Sequence, residues 1–162
     1  MAAERTEARA AVADAVALLT ASGDPGLEGV FTEIVAAYAH RRDTGSLAGL
    51  LATLTSLPYL AARLLQVEPV TLTEVAGHAE LRSGLACALM RSGLAGDVVQ
   101  LREDLKSVSP SLHECAPRLI PQVVVYAGAA LDVVAERVFS DRHRVLQRLA
   151  VMIEAHRELP AL

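Results

Sequence analysis

Five histidines (His40, His78, His113, His143 and His156) and two cysteines (Cys87 and Cys115) are the side chains of this sequence that metal or nucleophilic chemistry would use. Their spacing denies them most of it. A zinc-protease helix needs His-Glu-x-x-His, so that two imidazoles meet one ion from successive turns. Here His113-Glu114 runs into Cys115-Ala116-Pro117, and the second histidine is missing. A carboxylate-bridged di-iron bundle needs Glu-x-x-His twice. Glu74 and His78 stand four apart instead, with no second pair. His78-Ala79-Glu80 has the His-x-Glu of zinc deaminases, but no Pro-Cys-x-x-Cys follows it. A Cys–His nucleophile at Cys115 would need a histidine from elsewhere, because consecutive His113, Glu114 and Cys115 point apart on a helix. Gly-x-Ser-x-Gly, P-loop and Gly-x-Gly-x-x-Gly patterns are absent. These spacings predict no metal, no cofactor and no catalytic residue, and they lean away from an enzyme.

Three polar features remain. Glu74, His78 and Arg82 fall at i, i+4 and i+8, one face of a helix, where such groups usually form a solvated stripe. Asp132 interrupts the most apolar stretch of the chain. A buried carboxylate without a partner is costly, so it faces water, beside Glu136, or anchors a pocket together with Tyr126. Arg137, Arg144 and Arg148 fall on one side of the C-terminal segment, a solvated face or a dock for an acidic partner. Residues 70–94 echo a helix-turn-helix, with Thr73–Ala79 as support and Ser83–Arg91 as reading helix. Gly84 to Met90 carries no side chain that reads base edges.

The elements that must position these groups are helices. One third of the 162 residues are Ala or Leu, 29 and 25 of them, and aromatics make up 3%. The length suits one domain, residues 1–162, with a sizeable core. The net charge of −4, with 14 Arg and the single Lys106, lacks the basic footprint of a nucleic-acid binder. Arg in place of Lys in an Ala- and Leu-rich chain points to a GC-rich bacterial genome. Two cysteines make no disulfide framework, and Met1–Ala10, with Glu4, Arg5, Glu7 and Arg9, lacks the apolar centre of a secretory leader. The expectation is a cytoplasmic protein. The uncharged run Thr44–Ala62 is long enough for a membrane span, but residues such as Gly45, Ser46, Thr53, Thr55, Ser56, Pro58 and Tyr59 interrupt it, so no membrane is expected.

Local signals set the boundaries. A first helix covers about residues 3–22 and ends at Gly23. Asp24-Pro25 starts a second, whose Leu27, Val30, Phe31, Ile34, Val35 and Tyr38 form one stripe expected to be buried. Ser46 caps a third, with Leu47, Leu50, Leu51, Leu54 and Leu57 inward and Pro58 kinking or splitting it. Thr71 and Glu74 form a capping box, flanked by the staple pair Val70 and Val75, for a fourth helix running to Gly93. Asp97 opens a fifth. Ser109-Pro110 starts a short turn of helix ending before Pro117. Residues 119–139, apolar nearly all round, form a central helix, and Ser140-Asp141 caps the last. The fold class expected is all-α, a single globular bundle of about seven helices around the central apolar helix.

The function expected first is a non-catalytic binding module, acting by self-association or by docking a partner protein. Its surface would be the third-helix face Ala48, Ala52, Thr55 and Tyr59, small and uncharged where a solvent face is normally charged. The alternative is a small-molecule-binding regulatory domain with a pocket beside the central helix, anchored by Tyr126 and Asp132. The third reading is an enzyme using scattered His and Glu residues.

Overall fold

Burial decides this architecture more than local propensity does. A computed structural model describes residues 2–40, 44–82, 84–108 and 111–156, and within them the chain forms eight α-helices and no strand. They are α1 (Ala2–Ser22), α2 (Glu28–His40), α3 (Thr44–Leu64), α4 (Leu72–Ala76), α5 (Leu85–Leu94), α6 (Val98–Val108), α7 (Leu112–Arg137) and α8 (Arg142–His156). A short 3-10 turn, Pro25–Leu27, joins α1 to α2. The chain is an all-α bundle, as its periodicity requires.

The 26-residue α7 packs against α1, α2, α3, α4, α5 and α8. It starts seven residues earlier than its apolar run, and it carries Pro117 and Pro121 inside it. Each proline removes a backbone donor and strains the preceding turn, at about 3 kcal/mol. Leu112, Ala116, Leu119 and Ile120 are all buried along this stretch. Burying large aliphatic side chains returns about 1.5–3 kcal/mol each, enough to carry the helix through. Likewise α3 continues through Pro58, and Leu47, Leu50, Leu51, Leu54 and Leu57 are buried along it. It begins at Thr44, before Ser46.

The expected fourth helix is two. The capping box forms as expected: the Thr71 hydroxyl accepts from the Glu74 N–H, and the Glu74 carboxylate accepts from the Thr71 N–H. Val70 and Val75 are buried beside it. The helix then stops at Gly77, and Gly84, at φ 145°, precedes α5. Gly84, in a backbone conformation that favours glycine, admits a break that apolar periodicity alone does not reveal. The support-and-reading split of residues 70–94 lies nearer this outcome than a continuous helix does. Asp24, Asp97 and Asp141 each accept the hydrogen bond of an N-cap, from the N–H groups of Gly26, Gln100 and Arg144.

The α2 stripe departs from expectation. Only Tyr38 is buried there, with its hydroxyl donating to Asp14 at 2.6 Å; Phe31, Ile34 and Val35 are half-buried and Val30 is exposed. Two helices, Gly45–Leu64 within α3 and Leu112–Arg137, are long and apolar enough to cross a membrane, and both are more than half buried in the bundle.

Candidate functional site

At Thr55 the small-residue face of α3 is covered by α5 of the same chain. Thr55 is fully buried, and its hydroxyl donates to the carbonyls of Leu51 and Ala52. A Cβ added to Gly93 would stand 2.6 Å from the Thr55 Cβ, so α5 rests on Thr55 backbone to side chain. One added to Gly96 would stand 2.6 Å from the Tyr59 ring. Ala48 and Ala52 are half-buried and pack on the core. Small residues do admit a close helix here, as the sequence implies. The helix admitted is internal and withdraws Thr55 from any outer surface, while Tyr59 stays half-buried.

Glu74, His78 and Arg82 do not share a helix face, because α4 ends at Ala76. Two of them reach α7. The Glu74 carboxylate pairs with the Arg137 guanidinium, which also donates to the Glu68 carbonyl at 2.6 Å. His78 Nε2 lies 3.5 Å from Glu136. Arg82 contributes its backbone: its N–H donates to the Tyr126 hydroxyl at 3.0 Å. Partial burial pushes the Glu74 carboxyl up. The hydrogen bonds from Arg137 and Thr71 and the Arg137 charge outweigh it and hold the group below its ordinary range. The cluster straps residues 68–82 to α7. Arg137 therefore belongs to this strap and not to the arginine face of α8.

Asp132 lies in a different place. It is half-buried on α7 and lines a cleft of about 780 Å³ between α1, the 3-10 turn, α7 and the start of α8. Arg142 holds it bidentately, Nε to Oδ1 at 2.9 Å and Nη2 to Oδ2 at 2.7 Å. The Nη1 group donates to Ser22 Oγ at 2.9 Å, so one guanidinium ties three helices. Gly128 makes room for it: a Cβ there would stand 2.7 Å from Nη1. Half-buried Leu27 gives the cleft an apolar edge, with Leu19 and Leu146 buried behind it. Tyr126 is buried against Arg82 and does not line the cleft, so the expected Tyr126–Asp132 pair is not brought together.

Where α7 turns toward α8 stands a residue that the sequence hides inside an apolar run. Phe139 follows α7 with φ 54° and is 99% exposed. It occupies the left-handed position of a Schellman motif: its N–H donates to the Glu136 carbonyl at 3.2 Å, and the Ser140 N–H donates to the Ala135 carbonyl at 2.9 Å. Glycine is the usual residue there, since a Cβ is penalised. The signal available in sequence was a large aromatic directly before the Ser140-Asp141 cap.

Among the described residues, no three of His, Cys, Asp and Glu converge as a metal site would require. Cys87 is half-buried and Cys115 exposed, both as free thiols. No protein-family model, curated protein or solved structure matches this chain.

Proposed function

We propose that this chain is a non-catalytic helical binding module whose working surface is the corner where α7 turns into α8, not the face of α3. The observation that carries the reading is Phe139, fully exposed in a left-handed backbone. A bulky residue in that conformation costs roughly 1–2 kcal/mol, and its ring buries nothing within the chain. Exposed aromatics of this kind are the usual anchors of protein interfaces. The cleft begins two residues later, at Asp141.

A photo-crosslinking phenylalanine analogue at position 139, carried by the full chain in the expressing cell, tests this. A covalent adduct to protein, at any defined mass, is the expected result. The absence of any adduct at 139, with adducts equally absent at the neighbouring exposed positions 143 and 144, would overturn it.

A second reading is favoured by one specific feature, the Asp132–Arg142 pair held rigidly in the cleft. A small amphipathic molecule would lay its apolar body beside Leu27 and its polar group on the pair. That reading expects a compound that raises the melting temperature of wild type but not of Asp132→Asn. Failure of a broad library to do so counts against it.

A further inference from the structure

We infer that the outward face of α8 holds an acidic segment of the partner protein that Phe139 anchors. The inference rests on the binding-module reading and gives the chemistry of its partner. From Arg142 to Ile153 this helix carries three arginines, one histidine and no acidic residue. Arg142 turns inward to Asp132, and Val145, Leu146 and Leu149 are buried. Arg144, Arg148 and Val151 stay outside, all exposed, at the i, i+4 and i+7 spacing of one helix face. Arg144 meets Asp141 through Nε at 3.6 Å, and its terminal amino groups make no hydrogen bond among the described residues. Arg148 meets no acidic side chain among them.

A guanidinium presents its donors as a flat fork that matches a carboxylate. Two forks four residues apart stand about 6 Å apart along the helix axis. They fit two carboxylates at the same spacing, as on a second helix with acids four apart. Charge also selects among anions. The chain as a whole carries −4, so an extended polyanion laid along it meets repulsion beyond the strip. A short acidic segment touches the strip alone. Phe139 lies within roughly 18 Å of Arg144 by the reach of the chain, so a segment of about six extended residues covers both.

A photo-crosslinking phenylalanine analogue at position 151 of the full chain, in the expressing cell, tests this, with the crosslinked peptide sequenced by mass spectrometry. The expected peptide comes from a different protein and carries at least two Asp or Glu within about four residues of each other. Arg144→Glu with Arg148→Glu is expected to cut the adduct about tenfold, and replacing the two partner acids by Arg to restore it. Both side chains are exposed, so the doubly reversed chain keeps its circular-dichroism melt. Should the melt fall, Arg144→Gln with Arg148→Gln takes its place, with a loss of about threefold expected. An adduct indifferent to these changes would overturn the inference. So would one formed with lipid, nucleic acid, a second copy of this chain or a segment without acids. Adducts at 139 with none at 151 overturn it and leave the module reading standing. No adduct at 139, 143, 144 or 151 removes both.

Discussion

Gly93→Ala and Gly49→Ala make the same chemical change in two helices and are expected to shift stability in opposite directions. Each replaces the most flexible residue by the best helix former, a gain of up to about 1 kcal/mol when nothing else changes. Nothing lies within 4 Å of a methyl added at Gly49, so that gain is largely kept. At Gly93 the new carbon would stand 2.6 Å from the Thr55 Cβ and closer still to its carbonyl oxygen. Backbone cannot swing aside as the end of a long side chain does, so α5 must retreat from α3. That retreat loosens Ala86, Leu89, Met90 and Leu94, all buried on α5. Overpacking of this kind costs about 1–3 kcal/mol, and a backbone contact belongs at the upper end. Subtracting the helix-propensity gain leaves Gly93→Ala about 2 kcal/mol less stable than wild type, against about 0.5–1 kcal/mol more stable for Gly49→Ala. Urea unfolding followed by far-ultraviolet circular dichroism reads both, provided the denaturant slopes agree. A Gly93→Ala variant as stable as wild type would refute the assignment of the α3 face to α5. It would also return Thr55 to the outer surface.

Three further outcomes follow from the polar groups. Glu74 has a depressed folded-state pKa, so its contribution is present above the ordinary glutamate value and is lost as pH falls through the folded one; Glu74→Gln should flatten that part of the acid limb of a stability–pH curve, and an unchanged limb would contradict the strap. Arg142→Lys removes the bidentate grip on half-buried Asp132 and the bond to Ser22, and should lower stability by roughly 1–2 kcal/mol in thermal unfolding; a neutral result would mean that the pair contributes nothing to joining α1, α7 and α8. Both ring nitrogens of His113 are buried without a hydrogen-bond partner among the described residues, so His113→Leu should raise the urea midpoint by about 1 kcal/mol equivalent; a fall would contradict that environment.

The parts of this fold that were legible in the sequence are those fixed by hydrogen bonds between near neighbours. Thr71 with Glu74, Asp24 with Pro25, and the caps at Asp97 and Asp141 are complete within four residues, so their chemistry is visible locally. The parts that were not legible depend on distant surfaces. Pro117 reads as a breaker, because the burial of Leu119 and Ile120 that overrides it comes from other helices. The α2 stripe reads as buried, because periodicity reports an apolar face and says nothing of what covers it. The small residues of the third helix permit a close approach, but nothing local identifies α5 as the helix that meets Thr55. Asp132 was singled out on sound grounds as needing a partner or water. Its partner Arg142 lies ten residues on across a turn, a geometry that no residue pattern fixes. Phe139 reads as part of the central helix, since an aromatic after a run of valines continues the apolar pattern.

The most direct test of the account is the stability of Phe139→Gly, measured at a concentration low enough to keep the chain monomeric. If Phe139 is held for binding and not for the fold, glycine relieves the left-handed backbone and sacrifices no buried contact. The relief of about 1–2 kcal/mol, less about 0.5–1 kcal/mol for the added flexibility of the unfolded chain, predicts a variant about 0.5–1 kcal/mol more stable than wild type. A variant less stable than wild type by a similar amount would show that the ring serves the monomer's own packing, and would contradict the reading of this corner as the binding surface.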